Sequence, residues 1–179
     1  MNYTVRDVLA RLIQELGGEV EGVKKLMKLV FLVQYEFPGA LPVVGRLARR
    51  VFKYVYRGGP AARAEFFIWS FGPMSNEVYE ALEGGEFSVE AGEPPYLVRY
   101  AGEPPALPQP VEGRVREVAR RYGRLRGWEL ERRVAELLDL VPEEKKMFYM
   151  GWPVDKYLEH EGFRLVAREL GGGQDSEEP

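Results

Sequence analysis

The chain contains no cysteine and only one histidine, His160, among its 179 residues. The first absence excludes disulfides, thiolate metal sites and a cysteine nucleophile. The second excludes histidine-rich zinc sites and leaves one candidate for a histidine general base. His160 lies between Glu159 and Glu161, a setting expected of a surface histidine rather than a ligand. Also missing are GxxxxGK, GxGxxG, HExxH and GxSxG, and no carboxylates show the spacing of a catalytic pair. The expectation is a protein that is not an enzyme and uses no cofactor and no metal. No run of about 18 apolar residues occurs, and no signal-peptide pattern precedes the first helix, so the expected compartment is the cytoplasm. The net charge of −3 gives no global attraction to nucleic acid or membrane. Side-chain amides are scarce as well: Asn2, Asn76 and four glutamines. With Arg and Glu supplying most of the charge, this is the bias of thermophile proteins. The expected melting temperature therefore lies above the mesophile range of about 45–65 °C; a calorimetric midpoint inside that range contradicts the expectation.

What is present is a core. Hydrophobic residues make up 45% and charged residues 30%, the balance of one soluble globular domain. The organising stretch is GVKKLMKLVFLVQY, residues 22–35. Its apolar residues surround a helix on nearly all sides, as in a helix buried in a core, with Lys24, Lys25 and Lys28 expected on its one wet edge. Before it, Thr4 and Asp7 approximate a capping box, Val5, Val8, Leu9, Leu12, Ile13 and Leu16 recur at helical spacing, and Gly17-Gly18 closes that helix. The central helix is expected to stop at Phe37-Pro38-Gly39. Further on, 71–75 reads as a sharp junction, with Ser75 the N-cap of a helix carrying Val78, Tyr79 and Leu82. Residues 87–90 and 96–100 flank Gly92-Glu93-Pro94-Pro95 and read as a hairpin. The four prolines of 101–110 make a stiff connector, the one candidate internal boundary. Beyond it the pattern is helical: Val111 to Tyr122, a helix up to Leu140 whose apolar residues are Trp128, Leu130, Val134, Leu137 and Leu138, a short helix opened by Pro142, and a last helix opened by Pro153 that reaches Val166, with Gly162 a point of break or kink. Residues 171–179 are polar, acidic and glycine-rich, the composition of a disordered tail. The expected fold is α+β and mainly α-helical, with two short antiparallel β-hairpins in a winged-helix-like arrangement. It forms a single domain over 1–170, with 1–101 and 111–170 joined by the connector 102–110.

Residues 39–63 hold six basic residues and no acid. On a helical wheel Arg46, Arg49, Arg50, Lys53 and Arg57 share a stripe, yet 51–56 is also rich in β-branched and aromatic residues. A short helical start, then a hairpin of 51–57 with 64–70, is the favoured reading. Helices followed by a hairpin suggest a winged helix, whose second helix enters the major groove. Here that helix spans 75–83 and carries Glu77, Glu80 and Glu83 and no base. Phosphates would repel it. A DNA-binding role would instead use the basic stretch, with Arg46, Arg49, Arg50, Lys53 and Arg57 as its candidate contacts, or 114–126.

Three segments carry a family resemblance, the first two of them specifically. KLMKLVFLVQ (25–34) resembles the KLQKLLYLAQ-type helix of the Panacea domain, the group that includes SocA-like antitoxins. FIWSFGPMSNEVY (67–79) is similar to that family's aromatic–GP–x–S–x–x–V–Y segment, and VREVARRYG with WEL (115–130) resembles its later helix pair more weakly. The resemblance implies a small, mostly helical antitoxin that neutralises a partner toxin, or an adaptor that delivers a partner to a protease. The matching positions are Lys25, Leu26, Lys28, Gln34, Trp69, Gly72, Pro73, Ser75 and Tyr79. Most of these are expected to hold the fold. The partner-binding candidates are Lys25, Lys28, Trp69, Gly72, Pro73, Ser75 and Tyr79, with Trp69 and Tyr79 foremost, since aromatics dominate interface energetics. The basic 39–63 stretch and the acidic 74–112 stretch would orient the encounter. A protein partner, toxin or protease, is thus expected over nucleic acid.

Overall fold

The computed structural model describes residues 2–38, 49–90 and 96–172. It shows a mixed α/β fold of several helices and small open sheets. Helix α1 (Val5–Glu15) begins where the Thr4 N–H donates to Asp7 Oδ2 at 2.8 Å. It ends at Gly17 and Gly18, both at positive φ. Strand β1 (Glu19–Glu21) leads into α2 (Val23–Gln34), and the chain leaves α2 as β2 (Tyr35–Glu36). The central helix therefore ends at Gln34, three residues short of Phe37. Its last nine residues, Leu26 to Gln34, are all buried. Lys28 is one of them, 2% exposed, so the wet edge expected of three lysines reduces to Lys24 and Lys25.

Two ties hold α2 antiparallel to α4 (Gln109–Tyr122). At one end Lys25 Nζ donates to the Gly123 carbonyl at 2.7 Å. At the other, Arg114 donates to the Leu32 and Val33 carbonyls at 2.8 and 3.2 Å. Each cation thereby satisfies carbonyls that a helix C-terminus leaves without partners. Helix α5 (Gly127–Leu137) also packs on α2. The core is one cluster: it takes in Val98 before the proline-rich connector, Leu107 within it and Val111 after it.

Strand β3 (Arg50–Tyr56) does not pair with 64–70. It turns at Arg57-Gly58, both at positive φ, into β4 (Gly59–Pro60). A two-residue loop with two positive φ values matches the twist of a tight hairpin. Residues 61–64 are then held by buried Gln34, whose Nε2 donates to the Ala64 carbonyl at 2.8 Å and whose Oε1 accepts the Ala62 N–H at 3.0 Å. Strand β5 (Phe67–Trp69) pairs instead with β6 (Gly72–Met74) across the turn at Ser70-Phe71. On its other side Ile68 exchanges backbone hydrogen bonds with 151–152. The expected helical start within 43–50 falls mostly outside the described residues; Arg50 already belongs to β3.

Ser75 caps α3 (Asn76–Leu82), its Oγ accepting the Val78 N–H at 3.3 Å. Strands β7 (Phe87–Val89) and β8 (Leu97–Tyr100) form the expected second hairpin, and β1 extends it on the other edge of β8. Its turn, 91–95, lies outside the described residues. Helix α6 (Glu143–Phe148) follows Pro142. Helix α7 (Val154–His160) is shorter than expected: Gly162, at φ +87°, breaks it, and 164–169 become β9 (Arg164–Glu169), parallel to β3. The expected helix over 163–166 is thus a strand, because Leu165 and Val166 find a sheet neighbour in Val51 and Phe52. Of the expected tail, 173–179 lie outside the described residues.

Candidate functional site

The β5–β6 hairpin lies over the first turns of α2, with α3 beside it. The seam between them is a slot lined by Lys24, Met27 and Lys28 from α2, by Trp69 to Met74 without Ser70, and by Tyr79. Its volume is about 20 Å³, room for one water-sized group. Around it stand large side chains that a core would normally hide: Trp69 and Tyr79, each 42% exposed, and Phe71, 47% exposed. A broader groove of about 920 Å³ begins at Tyr79 and continues past the start of α2 to Tyr96, Arg126 and Trp128. Trp128 is 61% exposed. It was expected on the apolar face of its helix with Leu130 and Val134; it lies at the first turn of α5, off that face. These five aromatics form one band.

The cations divide by role. Lys24 Nζ sits 3.4 Å from the Phe71 ring centroid, a cation–π contact that holds the exposed ring in place. Lys25 is committed to Gly123, and burial lowers its pKa. Lys28 is different. Its side chain enters the seam, where Nζ forms no hydrogen bond or ion pair among the described residues and keeps its opening to the slot. Burial pushes its pKa down to about 8, helped by Lys24 and Lys146 and opposed by Glu131.

Gly72 makes room for that stem. It has φ +104°, and a Cβ there would stand 3.2 Å from Lys28 Cε and 3.8 Å from Nζ. Gly72→Ala is expected to destabilise the chain by about 2 kcal/mol through backbone strain alone, and to press on Lys28. Denaturant unfolding checks it; a change below about 0.5 kcal/mol contradicts the account. Of the expected partner-binding residues, Trp69 and Tyr79 face out over the slot, Lys28 lies at its floor, and Gly72 and Pro73 are buried in its wall. Ser75 is buried as a helix cap, and Lys25 ties two helices. Phe71 and Trp128 escaped the sequence reading. The only signal for Phe71 was its place beside Gly72-Pro73, and Trp128 reads in the sequence as one more apolar residue of its helix.

The basic stretch is engaged within the fold. Arg49 pairs with Asp139 at 3.1 Å and lies over the Phe163 ring. Lys53 pairs with Asp155 at 2.6 Å. Arg50 and Arg57 lie near the rings of Phe52 and Tyr56. Arg46 is outside the described residues. In α3, Glu77 accepts from the Glu65 N–H and from Ser75 Oγ. His160 is exposed, 2.7 Å from the Tyr149 hydroxyl through Nδ1, with its ring against Trp152; Tyr149 also donates to Glu161. No group of three or more potential metal ligands occurs among the described residues. Nor is any described helix long and apolar enough to cross a membrane. No family model, curated protein or solved structure matches the chain.

Proposed function

We propose that this chain is a non-catalytic protein-binding module that acts by occluding a partner, as an antitoxin or as an adaptor delivering the partner to a protease. The observation that carries the reading is the aromatic band of Trp69, Phe71, Tyr79, Tyr96 and Trp128. Aromatics of this size left in water on one face are characteristic of an interaction surface. The band includes Trp69 and Tyr79 of the segment that resembles the Panacea domain, and the floor beneath it comes from the other resembling segment, 25–34. The finer fold reading, a winged-helix-like order of α3 followed by the β7–β8 hairpin, belongs to the same proposal.

A second reading, a DNA-binding regulator using the basic stretch, has less support. Arg49 and Lys53 already hold carboxylates, and each pair would have to open to reach a phosphate. The acidic face of α3 opposes the approach as well.

The test is affinity capture from native lysate, half treated with nuclease, using the natural chain and Trp128→Ala. One stoichiometric protein retained after nuclease, and bound about 30-fold more weakly by the variant, is expected. Salt-sensitive recovery of nucleic acid by both chains, with no protein partner, overturns the reading in favour of the regulator.

A further inference from the structure

The band explains why a protein could dock; it does not explain Lys28. A lysine 2% exposed ordinarily has a carboxylate or several carbonyls around its ammonium. This one has neither. The acid that acts on it, Glu131, exerts only a longer-range pull and forms no ion pair with it. Lys24 and Lys146 add positive charge to the same seam. With a pKa of about 8, Lys28 remains mostly protonated at neutral pH. The fold therefore buries the stem of Lys28, leaves its ammonium open only to the slot, and supplies no counter-charge within contact.

We propose that the slot under Trp69, Phe71 and Tyr79 is a carboxylate-binding site, in which Lys28 Nζ receives an aspartate or glutamate side chain of a partner polypeptide. This rests on the protein-docking reading above and deepens it by naming what the partner must present. The slot has room for a single carboxylate oxygen, not for a larger head group. Apart from Lys24 and Lys28 its walls are apolar or aromatic, so an entering carboxylate exchanges water for a charge-assisted contact with Lys28. A lone inorganic anion would leave the three exposed rings uncovered. A polypeptide carrying the acid between apolar side chains fills the slot and covers the rings together. Lys24, against the Phe71 ring, and Lys28 at the floor both line the slot and complement an acidic segment. Discrimination follows directly: a segment lacking the acid buries Lys28 with no partner, which costs more than simply missing a contact.

The experiment is selection of a random 12-residue peptide library on the intact chain, followed by affinity measurements with the natural chain, Lys28→Met, and Trp69→Ala combined with Tyr79→Ala. The proposal expects peptides that share one acidic position flanked by apolar residues and that depend on Trp69 and Tyr79. Changing that acid to its amide weakens binding to the natural chain tenfold or more, but changes binding to Lys28→Met less than threefold. This comparison lies on the peptide side and does not rely on a protein variant keeping its fold. Peptides that need the two aromatics but share no acidic position overturn the carboxylate site and leave the docking surface standing. If no selected peptide depends on the aromatics, both fall. Self-association of the chain that is lost in Lys28→Met, without acidic peptides, assigns the slot to a second copy and overturns the proposal.

Discussion

Replacing Lys28 with methionine is expected to stabilise this protein by about 3 kcal/mol at pH 7, raising its melting temperature by about 6–12 °C. The size follows from the fall of the lysine pKa from its ordinary 10.5 to about 8 on folding, at about 1.4 kcal/mol per pH unit. The ammonium is disfavoured in the fold, so the unfolded chain binds its proton more tightly than the folded one. Below pH 8 both states are protonated and the full cost is present. Between about pH 8 and 10.5 the folded protein loses the proton first, and the contribution of Lys28 to stability improves with rising pH. Above that window the cost is gone. The advantage of Lys28→Met over the natural chain should therefore be greatest at pH 7 and shrink steadily toward pH 10.5. Taking the difference between the two proteins cancels the contribution of the tyrosines, several of which burial pushes upward in pKa. The groups that bear on Lys28 are Glu131 on α5, Lys24 on α2 and Lys146 on α6, and all three are present in both proteins. Urea unfolding of both chains at several pH values checks this. A variant less stable than the natural chain at pH 7 would mean that the ammonium has a favourable partner, and would remove the basis for an enclosed, unpaired cation. A residue kept at such a cost fits a site more readily than a scaffold.

The opposite sign is expected at Gln34. Gln34→Leu preserves shape but leaves the Ala62 N–H and the Ala64 carbonyl without the partners they have at 3.0 and 2.8 Å. Gln34 is 1% exposed, and the two orphaned groups sit where water does not reach. At about 1–3 kcal/mol for each, the loss is roughly 2–6 kcal/mol. It should fall on the 61–64 turn and on the β5–β6 hairpin that this turn launches, so the site would loosen along with the fold. Chemical denaturation measures the magnitude, and amide hydrogen exchange at 61–69 shows where it falls. A loss under 1 kcal/mol, or one spread evenly over the chain, contradicts the assignment. Gln34 and Lys28 lie in the same ten-residue segment that resembles a known family. One holds the fold and the other strains it.

Local chemistry was legible in the residues. The Thr4–Asp7 cap, the Gly17-Gly18 stop, the Ser75 cap and the pairing of 87–89 with 97–100 each depend on groups a few positions apart, and each is in the structure. What depends on distant groups was not legible. The parallel pairing of 164–169 with β3 joins segments more than a hundred residues apart, and Leu165 and Val166 alone fit a helix as well as a strand. The tight turn at Arg57-Gly58 was hidden because arginine is uncommon at positive φ. At the site, Trp69 and Tyr79 could be named because they stand in a recognisable segment. Lys28 reads as solvent-facing because a lysine early in a helix usually is; the β5–β6 hairpin laid across its stem, with α5 packed on α2, makes it buried. Trp128 joins the band because α5 meets the start of α2 there, a meeting no sequence spacing records.

The most direct measurement is photo-crosslinking in native lysate with p-benzoylphenylalanine placed at Phe71, against the same group at Arg120 on the exposed side of α4. One dominant protein adduct is expected from the Phe71 position, resistant to nuclease and absent from the Arg120 position. Adducts to nucleic acid, or the same faint set of proteins from both positions, would contradict the claim that this aromatic band is where the protein meets its partner.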